Sequence, residues 1–234
     1  MDRPEKLLQH LREGPGDDAG EATVARRETA AALRELCHAI GASRAAPDRL
    51  REVATALRVQ GRILAEVDPA APPASAAGVA TVPGMHDFHD RGPIAGRANP
   101  LAPPAVLGVD RDASIVVGEV TFGPAFEGAP GIAHGGFVAA VLDEALGMAS
   151  AFCGRVCMTA ELVTRYRRHT PIGTPLRIEA RLDAAEGRRV RTSGELSIDG
   201  TVIAEARGLF VAVGAAKFDD LVSARAQRGA ERDE

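Results

Sequence analysis

Asp143 and the His134-Gly135-Gly136 turn ahead of it are the residues whose types and spacing could do chemistry. In GIAHGGFVAAVLDEALGMASAF the polar side chains between Gly135 and Phe152 are Asp143, Glu144 and Ser150. The neighbours of Asp143 three and four positions away are Ala139, Ala140, Leu146 and Gly147, so no basic residue on the same helix can pair with it. Removing an ionised carboxylate from water without a partner costs several kcal/mol, and its pKa rises instead. A carboxylate raised toward neutrality is a competent general base. The competing reading is that Asp143-Glu144 marks where the helix meets solvent or a subunit boundary. The small residues around Asp143 favour the chemical reading, because they leave room for a substrate or a second chain.

The HGG turn stands where loop becomes helix. Glycines let backbone N–H groups approach a ligand, and a helix N-terminus adds a partial positive charge of about half a unit. Together these suit the oxyanion of a thioester carbonyl. The turn is a weak signal alone, since glycines at turns are commonly conformational and a single histidine commonly structural. Asp143 follows His134 by nine residues, about two and a half helical turns. That spacing predicts amide donors and carboxylate flanking one cavity along the helix.

Strands must hold this helix. One is predicted before it, in SIVVGEVTFG (Ser114 to Gly123). After it, Leu176, Ile178, Ala180 and Leu182 alternate with Arg177, Glu179, Arg181 and Asp183, the pattern of a strand with one wet face. Glu186-Gly187 turns into a strand carrying Val190, Leu196 and Ile198, and Asp199-Gly200 signals a tight hairpin into TVIAEARGLFVAV. In the first strand after the helix, Val156, Met158, Ala160 and Leu162 are read as one aliphatic face, with Thr159 on the opposite one. One strand, one helix and four antiparallel strands make an α+β class in which the helix is buried on one sheet face.

Composition shifts divide the chain. Residues 1–20 are charged and broken by Gly and Pro, and little order is expected there. Residues 21–67 read as a helical extension of two helices divided near GASRAAPD; Leu50, Val53, Leu57, Leu64 and Val67 form an apolar stripe on the second. That stripe is expected to pack on Leu33, Leu36 and Ile40 of the first helix, on the main domain or on a partner. Residues 68–105 form a Pro/Ala-rich linker and approach segment, 106–214 the strand-rich domain and 215–234 a charged tail.

The 28 basic residues, of which only Lys6 and Lys217 are lysines, face 32 acidic ones, for a net charge of -4. A nucleic-acid or membrane partner is therefore not expected, and any anionic ligand needs a local Arg cluster. No apolar run is read as approaching the eighteen or so residues of a membrane span, and no signal peptide is read at the start, so a cytoplasmic location is expected. Cys37, Cys153 and Cys157 show no metal-ligand spacing and are read as buried small hydrophobes. No metal or separate cofactor is expected.

GxxHGGxxxxxxD, a threonine sixteen residues beyond the aspartate in MTAELVTRYRRHTPIG, then EGRR and a closing EARGLFV strand resemble the hotdog thioesterases of the phenylacetate-pathway (PaaI) type. The likeness spans about Thr121 to Val213 and is nearest to the branch of mammalian thioesterase superfamily members 4 and 5. It implies a hotdog fold: a long central helix wrapped by an antiparallel sheet of about five or six strands, here with an N-terminal helical extension. It also implies hydrolysis of acyl-CoA thioesters, coenzyme A being part of the substrate, in a homodimer or dimer of dimers with active sites shared between subunits. Carried over, the catalytic carboxylate is Asp143, the polarising amide is that of Gly135 or Gly136 after His134, and the threonine contributed across the dimer is Thr159. The chain lacks the Asn that some relatives carry just before HGG.

Coenzyme A brings phosphates that arginine grips well. The candidates are Arg167 and Arg168 after TAELVTRY, and Arg188 and Arg189 in the EGRR turn, which in the family lies near the nucleotide. Phe137, with Met148 and Phe152, is a candidate pocket wall. Asp143 could activate water or attack directly through a mixed anhydride. The alternatives are a non-catalytic acyl-CoA-binding or scaffold module whose N-terminal helices hold a partner, and an acyl-CoA hydratase, which would want histidine beside Asp143.

Overall fold

The computed structural model describes residues 20–66, 90–103 and 105–214. Expectations for residues 1–19, most of the linker, Val67 and the tail from 215 lie outside these. Helices α1 (Glu21–Gly41) and α2 (Pro47–Ala65) come first, then β1 (Val106–Asp110) and β2 (Ile115–Val120). A short hairpin of β3 (Glu127–Ala129) and β4 (Ile132–Ala133) leads into α3 (Gly135–Ser150). Four long strands follow: β5 (Cys157–Tyr166), β6 (Leu176–Glu186), β7 (Arg189–Ile198) and β8 (Thr201–Ala212).

The main sheet is six-stranded in the order β1-β2-β6-β7-β8-β5, and every neighbouring pair in it is antiparallel. Its turns follow local chemistry. Asp199 and Gly200 both take positive φ, 47° and 74°, as a two-residue hairpin requires, and β7 pairs onward into β8 with Ile198 opposite Thr201. In β6, Leu176, Ile178 and Ala180 are buried toward the helix, while Arg177 and Glu179 pair on the outer face at 2.8 Å. Only one strand is predicted ahead of the helix, but the main sheet has two there and a short separate hairpin follows them. β1 is a short edge strand behind a Pro-rich approach, and its five residues show no clean alternation.

α3 lies across the sheet. Val138, Val141, Leu142, Ala145, Leu146 and Ala149 are all 1% exposed or less, packed with Val190, Leu196, Ala204 and Phe210 in one core. Fully burying a Leu or Val side chain contributes about 1.5–3 kcal/mol, so this face alone fixes the helix. A long helix on a six-stranded antiparallel sheet is the hotdog fold. Contrary to the expectation from apolar run lengths, Gly135–Cys153 is long and apolar enough to cross a membrane by length and composition. Here one of its faces is core.

The two N-terminal helices differ in how they are held. α1 is docked: Arg27 Nε donates to both carboxylate oxygens of buried Asp90 at 2.9 and 3.0 Å, Arg34 donates to the Asn99 carbonyl at 2.8 Å, and Ala30 is buried. His38 Nδ1 accepts from the Ala125 backbone at 3.1 Å, and its ring meets Phe126 edge-on. α2 buries no residue, and Leu50 and Leu64 of its predicted stripe are exposed. For those two residues the expected packing is absent within the described chain.

Candidate active site

Asp143 lies on the side of α3 turned from the packed core toward β5, half-buried. It has a partner that helical spacing could not reveal: Thr159 Oγ1 on β5 donates to Asp143 Oδ1 at 3.2 Å. Burial pushes the Asp143 carboxyl above its ordinary 3.8, and the Thr159 hydrogen bond offsets only part of that. Glu144 beside it is also raised, first by burial and then by the charge of Asp143. The resemblance implied a threonine from across a dimer, whereas within one chain Thr159 already reaches Asp143.

A β-bulge explains how Thr159 arrives there. Thr159 pairs with Phe210 and Glu161 with Leu209, so Ala160 is the extra residue in β5. Strict alternation over 156–162 therefore fails. The residues on the helix-facing side are Cys157 and Thr159 before the bulge, and Leu162 and Tyr166 after it, with Thr159 and Tyr166 still exposed. Met158 and Val156, expected on the aliphatic core face, are instead 40% and 47% exposed.

At the other end of the helix, His134 is the N-cap, its Nδ1 accepting the Gly136 N–H at 3.0 Å. That hydrogen bond occupies one of the two candidate oxyanion donors. Among the described residues nothing accepts the Gly135 N–H, so of the two candidate amides it is the one without a partner there. Tyr166 Oη donates to the Gly135 carbonyl at 2.8 Å, and a Cβ on Gly135 would lie 3.3 Å from the Tyr166 ring. A side chain here would press on that ring, which would have to give by a few tenths of an ångström. Tyr166 is absent from the sequence-derived candidates, because the bulge that turns it inward has no residue signature.

The thioesterase superfamily profile matches residues 130–204, which contain α3, the HGG turn, Asp143 and Thr159. A crystallised thioesterase superfamily protein is 30% identical, with a TM-score of 0.67, over 85% of this chain and 93% of its own. The chain belongs to the thioesterase superfamily. Acyl-coenzyme A thioesterase THEM4 of Xenopus laevis is 37% identical over 92 residues, 38% of this chain and 41% of the relative. THEM4 of Bos taurus is 38% identical over 91 residues, 38% of this chain and 37% of the relative. The chain thus spans about two-fifths of the length of the curated relatives it matches.

In this superfamily member the candidate groups lie apart along one helix. Gly135 and Asp143 are eight residues apart on a single helix, about 12 Å along its axis at 1.5 Å per residue. A carbonyl held at the Gly135 amide is therefore well removed from Asp143 of the same chain. The arginines divide as well. Arg188 and Arg189 lie at the β6–β7 turn beside the start of β5, where Arg155 donates to the Gly187 carbonyl at 2.6 Å. Arg167 and Arg168 follow the far end of β5, ten residues and roughly 30 Å away.

Their present contacts differ too. Arg167 is paired with Glu205 at 2.6 Å on the outer sheet face, and Arg188 Nε donates to the Ala212 carbonyl at 3.2 Å. Arg168 and Arg189 have no side-chain partner among the described residues. Phe137 packs edge-to-face on Phe126 with centroids 4.9 Å apart, so part of its ring is committed to an aromatic cluster. A concavity of about 820 Å³ on the outer sheet face, lined by Arg165, Arg181, Arg207, Glu161 and Glu195, does not touch Asp143 or Gly135. Among the described residues no three His, Cys, Asp or Glu side chains cluster as a metal site would need.

Proposed function

We propose that two copies of this chain form an acyl-CoA thioester hydrolase in which each active site takes Asp143 and Thr159 from one protomer and the Gly135 amide from the other. The Asp143–Thr159 hydrogen bond on the open side of an otherwise packed helix carries this reading. A carboxylate raised by burial, yet held by a hydroxyl, is poised to take a proton from water. The free Gly135 N–H, at a helix N-terminus, supplies the oxyanion donor. A two-fold axis running the two copies of α3 antiparallel sets the Gly135 end of one beside the Asp143 region of the other, which spans the 12 Å or so that one chain cannot.

In this scheme the Gly135 amide polarises the thioester carbonyl while Asp143 draws a proton from the attacking water; the tetrahedral intermediate then collapses with loss of the thiolate of coenzyme A. Direct attack by Asp143, forming a mixed anhydride that water opens, uses the same groups. Likeness to acyl-coenzyme A thioesterases of Xenopus laevis and Bos taurus supports the substrate class. Arg188 and Arg189 at the β6–β7 turn grip the nucleotide phosphates.

Mixing two inactive variants tests the shared site. Asp143→Ala removes the carboxylate; Gly135→Pro removes the amide hydrogen at the first helical position, where proline is tolerated. Each homodimer is expected to release almost no free thiol from an acyl-CoA panel. A mixed dimer contains one site with both defects and one intact, so mixing restores up to about a quarter of the parent rate, by random pairing. No recovery from demonstrably mixed dimers would overturn the shared arrangement, and an inactive parent across the panel would overturn the hydrolase.

A further inference from the structure

Cys153 and Cys157 lie at the junction between the end of α3 and the start of β5 with their Sγ atoms 3.6 Å apart. Gly154, at φ 74°, turns the chain back so that side chains four residues apart meet. The sequence-based reading took all three cysteines as buried, but Cys37 is exposed and this pair is only partly buried, beside an exposed bend of Gly154, Arg155 and Val156. Neither thiol has a part in the proposed hydrolysis. Sulfurs at 3.6 Å are in van der Waals contact, and a disulfide of about 2.05 Å asks for a closure of roughly 1.5 Å. Side-chain rotation and a small shift of the exposed bend can supply that movement.

We infer that Cys153 and Cys157 form a reversible intrachain disulfide and are an oxidative modification site for hydrogen peroxide. The Cys153 sulfur attacks the peroxide: an S–O bond forms, the O–O bond breaks, and the departing hydroxide leaves as water with the thiol proton. The Cys157 sulfur then attacks the sulfenic sulfur. An S–S bond forms, the S–O bond breaks, and the hydroxyl leaves with the Cys157 proton as a second water. Two thiols are oxidised and one peroxide is reduced to two waters. Burial pushes the Cys157 thiol up, which suits it to this second step at contact distance better than to the first, diffusive one. A small thiol or dithiol reverses the bond by exchange.

The bond would staple the end of the helix carrying Asp143 to the first residue of the strand carrying Thr159, two positions before it. That consequence rests on the proposed active site; the disulfide itself does not. Arg155 lies between the cysteines, so trypsin cuts the bend and reports the link directly. In a Cys37→Ser background the full chain is treated with hydrogen peroxide, alkylated and digested.

The fragments ending at Arg155 and beginning at Val156 are expected to stay joined, lighter by two hydrogens, and to separate on reduction; Cys153→Ser abolishes the link. Separate fragments carrying individually oxidised or alkylated cysteines, or links only between copies, would overturn the disulfide. Turnover that falls several-fold on oxidation, recovers on reduction and is unaffected in Cys153→Ser supports the staple. A formed link with unchanged turnover refutes the coupling to the site while leaving the modification standing. A chain that forms the link yet hydrolyses nothing in its reduced state refutes the hydrolase instead.

Discussion

The two long sides of α3 differ in composition and still more in surroundings. Toward the sheet, Val138, Val141, Leu142, Ala145, Leu146 and Ala149 are sealed in the core. On the other side Ala139, Ala140, Asp143, Glu144 and Gly147 are only half-buried, and both carboxyls are raised by burial. A helix apolar nearly all round therefore has two partners to satisfy. Its own sheet fills one side with large branched residues. The other keeps small residues around an acid, the surface expected where a substrate and a second copy are to sit.

Substitutions on the two sides should fail in different ways. On the open side, Asp143→Ala is expected to lower turnover about thousandfold, roughly 4 kcal/mol of transition-state stabilisation, with the fold and acyl-CoA binding retained. Free-thiol release and a binding isotherm measured together check it, and near-parental turnover would erase the distinction between the sides. On the sheet side, Leu146→Ala opens a cavity in a fully buried position and is expected to cost about 3 kcal/mol of stability by denaturant unfolding. Turnover per folded molecule should change far less than in Asp143→Ala.

The same division governs what is legible in the sequence. The sheet side was legible because burial imposes periodicity: Leu176, Ile178 and Ala180 alternate visibly, and Asp199-Gly200 is a turn with its own chemistry. Asp143 stood out by contrast with its apolar surroundings. The partners of the open side were not legible, because a single bulged residue, Ala160, reverses the facing of β5 without leaving any mark in residue type. Thr159 was reached only through family likeness, and Tyr166 was not reached at all. The choice between Gly135 and Gly136 turned on which N–H the His134 ring occupies, a matter of three-dimensional cap geometry.

Thr159→Val tests whether the hydroxyl serves the open side beyond packing. It keeps the side chain's shape and deletes one hydrogen bond to a carboxylate, so a loss of about tenfold in kcat, near 1.4 kcal/mol, is expected. The released carboxyl should also titrate higher, since that bond is the influence lowering it. The acid limb of the rate profile, along which activity falls as Asp143 becomes protonated, therefore moves to higher pH. A rate loss with an unmoved acid limb would make Thr159 a packing residue.

The smallest expected effect concerns stability, and its sign separates the two sides again. Because folding raises the Asp143 carboxyl above its ordinary 3.8, the folded chain binds more protons than the unfolded chain between those two values. Stability contributed by this group is thus present in acid and is lost as pH rises through the folded pKa. At neutral pH the charged carboxylate is a burden on the fold, and Asp143→Asn, which can still accept from Thr159, should raise Tm slightly. Solvent reaches this half-buried group, which keeps the gain under about 1 kcal/mol. The difference in Tm between variant and parent should shrink as pH falls toward 4 and vanish below it, where the parent carboxyl is also neutral. A parent more stable than Asp143→Asn at neutral pH would mean that the charge is held as firmly as the leucines opposite it, and the open side of the helix would lose its claim to be a site built at the expense of stability.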